Sequence, residues 1–227
     1  MIRATGSEVI AVESETKINI ERDMARPSGY LRLKRILDIV AASFLLILSF
    51  IPFLIIALFI KLTSKGPVLY RSERIGINGK PFLFPKFRSM NIGADQKLSD
   101  LLTDNEKDGP IFKMKKDPRI TWIGRYLRRY SLDELPQLFC VLTGEMSMVG
   151  PRPPIRREVE QYDDHVMRRL SVKPGMSCYW QVMGRSDLSF AEMVELDLKY
   201  ADEMSLKTDL KIICLTPKAV LSGKGAY

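Results

Sequence analysis

The chain has 227 residues, enough for one sizeable core with an appendage, and its 35 Lys and Arg against 27 Asp and Glu give a formal charge of +8. That balance suits an anionic partner, whether lipid headgroup, phosphorylated substrate or nucleic acid, and composition does not choose among them. A single histidine, His165, set among charges, argues against histidine triads and His-rich zinc sites; three cysteines without CxxC spacing (Cys140, Cys178, Cys214) argue against a disulfide frame or metal cluster and read as reduced thiols of a cytoplasmic domain.

Residues 1–29 are polar, mixed in charge and end in Arg-Pro-Ser-Gly, which predicts a flexible tail. Residues 39–60 then run for 22 positions without a charged side chain. As a helix they would extend about 33 Å, close to the thickness of a bilayer core. Pro52 lies inside the run, lacks the amide that would reach the carbonyl of Leu48, and predicts a kink, with Ser49 near enough to satisfy freed backbone. Arg26, Arg32, Lys34 and Arg35 precede the run, and Lys61, Lys65, Arg71 and Arg74 follow it. Basic residues normally stay on one side of a span, so this pattern suits a broken helix that returns to the leaflet it entered; an ordinary kinked span is the alternative.

Beyond the apolar run, residues 67–75 and 81–90 flank Asn78-Gly79, which predicts a hairpin, and residues 94–109 form a polar loop with a helical piece. Residues 119–130 alternate Ile120, Ile123, Leu127 and Tyr130 with arginines at helical spacing. With Trp122 and Tyr126 they predict a basic amphipathic helix in the headgroup plane. Helices are also expected over residues 155–170, 189–202 and 206–221, the last bent by Pro217 and closed by Gly223.

Ser131-Leu132-Asp133-Glu134-Leu135-Pro136-Gln137-Leu138 carries the chemistry. Taken alone, Ser131 and Glu134 have the spacing of a helix capping box, and that bland reading is the stronger one. The same geometry lets adjacent carboxylates divide labour, one attacking phosphorus while the other holds a metal ion. Lys86 and Arg88, two apart in Lys-Phe-Arg-Ser-Met, and Arg152, clamped between Pro151 and Pro153 in Gly-Pro-Arg-Pro-Pro, are candidate phosphate contacts. Residues 172–175 and 181–185 add rigid loops carrying Lys173 and Arg185.

With these motifs in order, the chain from about Leu31 to Tyr227 resembles the bacterial sugar transferases, the monotopic polyprenyl-phosphate phosphoglycosyl transferases. The match begins at Lys34-Arg35-Ile36-Leu37-Asp38 and passes through Gly66-Pro67, Lys86 to Met90, Asp117-Pro118-Arg119, the Asp133-Glu134 segment, Gly150 to Pro153 and Lys173-Pro174-Gly175, ending at Asp209-Leu210-Lys211-Ile212. The resemblance implies an α/β, mostly helical, monotopic membrane protein: a re-entrant helix-break-helix over residues 30–62, with Ser49 and Pro52 at the break, and a cytoplasmic catalytic domain over 63–227 in which interfacial helices surround a small hairpin-containing core. It further implies an enzyme of the bacterial inner membrane, cytoplasmic face, that moves a sugar 1-phosphate from a UDP-sugar to polyprenyl (undecaprenyl) phosphate and releases UMP. Asp133 would be the nucleophile, Glu134 the ligand of Mg2+, and Pro151, Arg152 and Pro153 a nucleotide-side loop. The product would start a surface polysaccharide or glycoconjugate. The sugar and homo-oligomerisation stay open.

Two departures stand out. Ile51, where relatives often have Ser, precedes Pro52, and Met176-Ser177-Cys178-Tyr179 stands before Trp180 where relatives read roughly Ile-Thr-Gly-Trp. Longer members carry extra membrane helices and an N-terminal domain not expected here. A non-catalytic protein docking on anionic lipid, or a phosphohydrolase using the same aspartate, are the competing readings. Nucleic-acid binding is disfavoured because the basic residues cluster around the apolar run.

Overall fold

The computed structural model describes residues 28–223 and 225, so the tail expected over 1–29 lies outside the described residues except for Ser28 and Gly29, which open the first helix. Helix α1 spans Ser28–Leu48 and α2 spans Phe50–Thr63. Between them Ser49 takes φ −87° and ψ 4°, and the pair bends by 58°. The break falls at Ser49, three residues before the proline expected to cause it. Pro52 sits in the first turn of α2, where its missing amide removes no helical bond, and the first such bond of α2 runs from Phe53 N–H to Ser49 C=O at 2.8 Å. Ser49 Oγ donates back to the Leu45 carbonyl, which closes the end of α1.

Among the described residues no single helix is long and apolar enough to cross a membrane, whereas the bent pair meets that test together. Its outer surface is bare. Phe44, Ile47, Leu48, Phe50, Ile51, Leu54 and Leu62 are all exposed, Ile47 to 78%. An apolar surface of this extent marks contact with lipid or with another protein.

Strands β1 (Leu69–Ile75) and β2 (Pro81–Phe87) form the expected antiparallel hairpin. Its turn uses positive φ at both Asn78 (54°) and Gly79 (72°), and Lys80 N–H bonds Ile77 C=O at 3.2 Å. The loop that follows holds only one short helix, α3 (Leu98–Leu101), with a 3-10 turn behind it. Helix α4 (Trp122–Arg129) is capped by Thr121, whose side chain accepts from Gly124 N–H. It is shorter than expected: Arg119 precedes it and is tied in a buried ion pair to Asp117 at 2.6 Å. Trp122 and Tyr126 remain exposed, edge to face at 5.3 Å.

A 3-10 helix (Leu132–Gln137) runs into α5 (Leu138–Thr143). Strand β3 (Ser147–Val149) pairs in parallel with β4 (Gly175–Ser177). The single helix expected over residues 155–170 is instead broken into α6 (Arg156–Val159), α7 (Asp164–Met167) and a 3-10 turn. Asp163 caps α7 by accepting from Val166 N–H, and that local bond restarts the helix. Helices α8 (Tyr179–Met183), α9 (Phe190–Glu203) and α10 (Leu206–Ser222) complete the fold. Ser189 and Glu192 make a full capping box on α9; α10 is one element through Pro217 and ends at Gly223 with φ 60°. The result is mostly helical with two small sheets. Cys140 and Cys178 are buried, Cys214 is exposed, and all three are free thiols.

Helix α1 is bolted to the domain by its first charged residues. Lys34 pairs with Asp209 at 2.8 Å, both nearly buried, and the hydroxyls of Tyr30 and Tyr200 lie 2.9 and 2.7 Å from the same carboxylate. Arg35 donates to the carbonyls of Val141 and Leu142 (2.5 and 2.6 Å), and Asp38 accepts from Ser147 Oγ and Met148 N–H, each 3.0 Å. Ala42 then enters a core with Phe82, Phe84, Leu138 and Val141. Asp209→Ala, which strands the buried Lys34 ammonium, is therefore expected to cost about 3–5 kcal/mol in thermal melts of the detergent-solubilised protein. Lys34→Met with Asp209→Asn is expected to recover most of that loss. A double variant as unstable as Asp209→Ala would show that packing, not the stranded charge, sets the cost.

Candidate active site

The site begins where α4 stops. Ser131 adopts φ 52°, a left-handed conformation usually left to glycine at a helix end, and its N–H bonds the Arg128 carbonyl at 3.1 Å. The capping box suggested by Ser131 and Glu134 does not form, because a residue in this conformation ends one helix instead of starting the next; its side chain makes no cap bond. The chain turns into a 3-10 helix, in which residues three apart eclipse. Leu132 and Leu135 therefore share a face, and both pack into the cluster of Ile56, Ile60, Phe87 and Leu127 that includes α2. Glu134 and Gln137 share another. Asp133 is buried, 6% exposed, beside them.

Asp133, Glu134 and Gln137 line a cavity of about 180 Å3 with Arg74, Lys86, Lys113, Arg128, Arg152 and Arg185. The hairpin register explains two of these cations: Arg74 on β1 and Lys86 on β2 lie on the same sheet face, with Phe84 between them and the cavity-lining 3-10 helix packed across β2. Lys86 Nζ lies 5.5 Å from the Tyr70 ring centroid. The Gly150–Pro154 loop is held from both sides. Arg74 donates to the Pro153 carbonyl at 3.2 Å, Ile75 N–H to Pro154 at 2.9 Å, and Gly175 N–H to Pro151 at 2.9 Å. A Cβ on Gly175 would lie 2.0 Å from the Gly150 nitrogen, so the two loops meet only as glycines. Arg152, between them, has a loose contact to Glu158 at 3.5 Å and keeps part of its side chain open.

Burial shapes the titration of the cavity. Desolvation, then the neighbouring Asp133 charge, pushes the Glu134 carboxyl up to about 7; desolvation likewise raises Asp133, opposed by Lys86 and Arg128. Desolvation pulls Lys86 and Lys113 down to about 8 and Arg74 to about 10. Among the described residues neither carboxylate forms an ion pair. Of the eight buried side-chain polar atoms without a hydrogen-bond partner among the described residues, four belong to residues that line this cavity: Arg74 Nε, Gln137 Nε2, Trp180 Nε1 and Arg185 Nη1. Such groups are costly in a native fold, and their clustering marks the place as built for a polar ligand. A second cavity of about 440 Å3 adjoins it, shares Arg74, Lys86, Lys113, Arg128 and Arg152, and extends to Arg157.

Of the residues singled out from sequence, Asp133, Glu134, Lys86, Arg152 and Pro153 come together, and Pro151 supports them through its carbonyl. Arg88 does not join them. Strand β2 ends at Phe87, and the Arg88 guanidinium is spent on the Ser64 and Lys65 carbonyls at the end of α2, in space left by the missing side chain of Gly66. It lines only the adjoining cavity. His165 is a surface residue 2.8 Å from Glu195. Gln137, Lys113 and Trp180 carried no role in the sequence reading. Arg74 was within reach of it, since strand alternation across a hairpin with Asn78-Gly79 at its turn puts Arg74 and Lys86 on one face.

A magnesium ion fits this donor set. Asp133, buried, and Glu134, half-buried, are adjacent carboxylates without an ion pair among the described residues, and Mg2+ is commonly held by one or two carboxylates plus substrate phosphates. No cluster of three acidic, His or Cys side chains is present among the described residues, so phosphate and water oxygens would complete the shell.

Comparison with known proteins places the same segment in context. The family model for bacterial sugar transferases matches residues 29–223. The chain is 46% identical over 200 residues to the galactosyl transferase CpsE of Streptococcus agalactiae serotype III, covering 87% of this chain and 44% of that protein. It is 43% identical over 218 residues to the undecaprenyl-phosphate galactose phosphotransferase of Salmonella typhimurium, covering 92% and 44%. It is 40% identical over 211 residues to the exopolysaccharide production protein ExoY of Rhizobium meliloti, covering 91% and 93%. The chain thus spans less than half of the first two relatives and nearly all of the third.

The raised Glu134 carboxyl sets a pH dependence. The folded chain holds this proton up to about pH 7 and the unfolded chain releases it near 4.5, so stability should fall as pH rises between those values. In the absence of divalent ions, Glu134→Gln is expected to match the wild type near pH 4 and exceed it by roughly 1–3 kcal/mol at pH 8. Denaturant melts of both proteins at the two pH values check this; a variant no more stable than wild type at pH 8 would contradict it.

Proposed function

The chain belongs to the bacterial sugar transferase family, and from that membership we propose that it transfers a sugar 1-phosphate from a UDP-sugar to polyprenyl (undecaprenyl) phosphate through a covalent intermediate on Asp133. The observation that carries the reading is the pair Asp133 and Glu134, lining one cavity with six basic side chains, on a segment whose leucines pack against the apolar helix α2.

In the first step an Asp133 carboxylate oxygen attacks the phosphorus that bears the sugar. The bond from that phosphorus to the bridging oxygen breaks, and UMP leaves with the electron pair. In the second step an oxygen of polyprenyl phosphate attacks the same phosphorus, the bond to Asp133 breaks, and a polyprenyl diphosphosugar results. No general base is required when the attacking groups are a carboxylate and a phosphate monoester, each in its anionic form. Arg74, Lys86, Arg128 and Arg152 line the cavity that would take the phosphates, and the charges of Lys86 and Arg128 oppose the burial that raises the Asp133 carboxyl. Both anionic substrates use this one cationic site in turn. Glu134 would hold Mg2+, whose bound charge neutralises the transferred phosphoryl oxygens. The adjoining cavity reaches Arg157 and shares Arg152, which favours the Gly150–Pro154 loop as the nucleotide side.

The same reading gives the chain a monotopic arrangement. Residues 30–62 enter and leave one leaflet, residues 63–227 form the catalytic domain, and the face is the cytoplasmic side of the bacterial inner membrane. The 58° bend, the bare apolar surface on both arms and the exposed Trp122 and Tyr126 support it.

Incubation with a UDP-sugar alone is expected to add one sugar phosphate to Asp133 with one equivalent of UMP, and polyprenyl phosphate should discharge it. Asp133→Asn should lose both the adduct and at least about 1000-fold in turnover. Intact-protein mass spectrometry during active turnover decides: absence of the adduct would mean direct transfer, and free sugar phosphate formed without acceptor would mean a hydrolase. Topology has its own check. In a Cys214→Ser background, cysteines at Gly29 and at Glu203 are expected to resist an impermeant thiol reagent from outside the intact inner membrane; labelling of either one alone would mean a spanning helix.

A further inference from the structure

Four residues that line the Asp133 cavity each bury a polar atom without a hydrogen-bond partner, and two of them are uncharged, Gln137 and Trp180. We propose that Gln137 and Trp180 form the subsite that reads the hydroxyl groups of the transferred sugar, and so determine which nucleotide sugar the protein accepts. The proposal rests on the transferase reading given above and deepens it.

Both side chains are fixed before any ligand arrives. Gln137 is 2% exposed and eclipses Glu134 one turn along the 3-10 helix, so its carboxamide is carried by the same rigid segment as the carboxylates. Trp180 is 5% exposed. Its ring packs with Ile111, Cys178 and Met193, the Lys113 ammonium lies 5.9 Å from its centroid, and its indole N–H is buried beside the cavity without a hydrogen-bond partner. Locked rotamers of this kind give a subsite its geometric selectivity.

Charge sorts the ligand groups. The cavity holds six basic side chains, and phosphate oxygens will be taken by these, since charge-assisted bonds are about twice as strong as neutral ones. An amide and an indole N–H cannot compete for that charge, and they suit neutral oxygens. The neutral, oxygen-rich part of a nucleotide sugar next to the reacting phosphorus is the sugar itself. A hydroxyl accepts from the indole N–H and serves the carboxamide in either orientation of its amide, because it both donates and accepts. A donor lacking the matching hydroxyl leaves a buried N–H unpaired, and sites of this sort discriminate strongly.

The test compares wild type, Trp180→Phe and Gln137→Met on UDP-glucose, UDP-galactose and their single-deoxy analogues, with polyprenyl phosphate in detergent and UMP release as readout. Each variant is expected to lose about 10–100-fold in kcat/KM on the preferred donor and much less on the analogue lacking the hydroxyl it reads. Inhibition by UMP, which occupies only the cationic and nucleotide side, should be unchanged. Equal losses on every donor, or no loss on any, would overturn the subsite while leaving the transferase reading intact. Wild-type protein that turns over no UDP-sugar would overturn that reading and the subsite with it. Trp180→Phe keeps the ring, and Gln137→Met is nearly isosteric, so melting temperatures near wild type identify folded protein; one folded variant suffices to decide.

Discussion

Two adjacent carboxylates, Asp133 buried and Glu134 half-buried, share one cavity without an ion-pair partner among the described residues, and the surrounding elements are organised to hold them there. Desolvation raises both carboxyls, so their ionised forms call for positive charge nearby. The pair is held by unusual local geometry. Ser131 in the left-handed region ends α4 abruptly, and the tight 3-10 coil that follows turns its leucines toward α2 while its acids face the cavity. An ordinary α-helix starting at Ser131 would have rotated these residues by about 100° per step, and Leu132 and Leu135 would not have eclipsed. Packing against an apolar helix thus positions the acids.

The short sequence motifs turn out to work in pairs, each holding two distant parts of the chain together. Lys34 reaches Asp209 across 175 residues, so the entry to the apolar helices and the start of α10 are one unit. Gly66 leaves room for Arg88, whose guanidinium closes the carbonyl end of α2 and joins it to the hairpin. Gly150 and Gly175 allow two loops to touch backbone to backbone, and this contact sets Arg152 at the cavity rim. The apolar arms and the catalytic cavity are therefore mechanically continuous. On the proposed function such continuity would fix the height of the site above the bilayer from which a lipid-borne phosphate arrives.

Much of this was legible in the sequence, for identifiable reasons. The uncharged run at 39–60, the Asn78-Gly79 turn and the helical stretch 189–202 are local signals, and the structure has a bent helix pair, a hairpin turn and helix α9 there. The signals that misled were also local. Pro52 suggested the break, but a proline in a first helical turn is compatible with helix, and Ser49 supplied the bend. Residues 155–170 had the periodicity of one helix, yet Asp163 capped a new one within it. Strand alternation set Arg88 beside Lys86, but β2 ends at Phe87, and the Arg88 guanidinium bonds Ser64 and Lys65 while the residue lines the adjoining cavity. Gln137, Lys113 and Trp180 were invisible as site residues, since their roles depend on cavity walls brought together from separate elements.

The imbalance of charge in the cavity has a consequence for how two different anions share it. Six basic residues face two acids, yet burial weakens the cations, with Lys86 and Lys113 both brought to about 8. Had the acids and bases paired off, the site would be neutral, well solvated internally and indifferent to phosphate. Without ion pairs between the two acids and these bases, the cavity keeps its excess of positive charge for phosphate oxygens. On the proposed function, departure of the first anion returns that charge to the second, so one arrangement would serve both halves of the transfer. Neutral donors such as Gln137 and Trp180 can add selectivity there without disturbing that symmetry, because they do not change the charge that either phosphate meets.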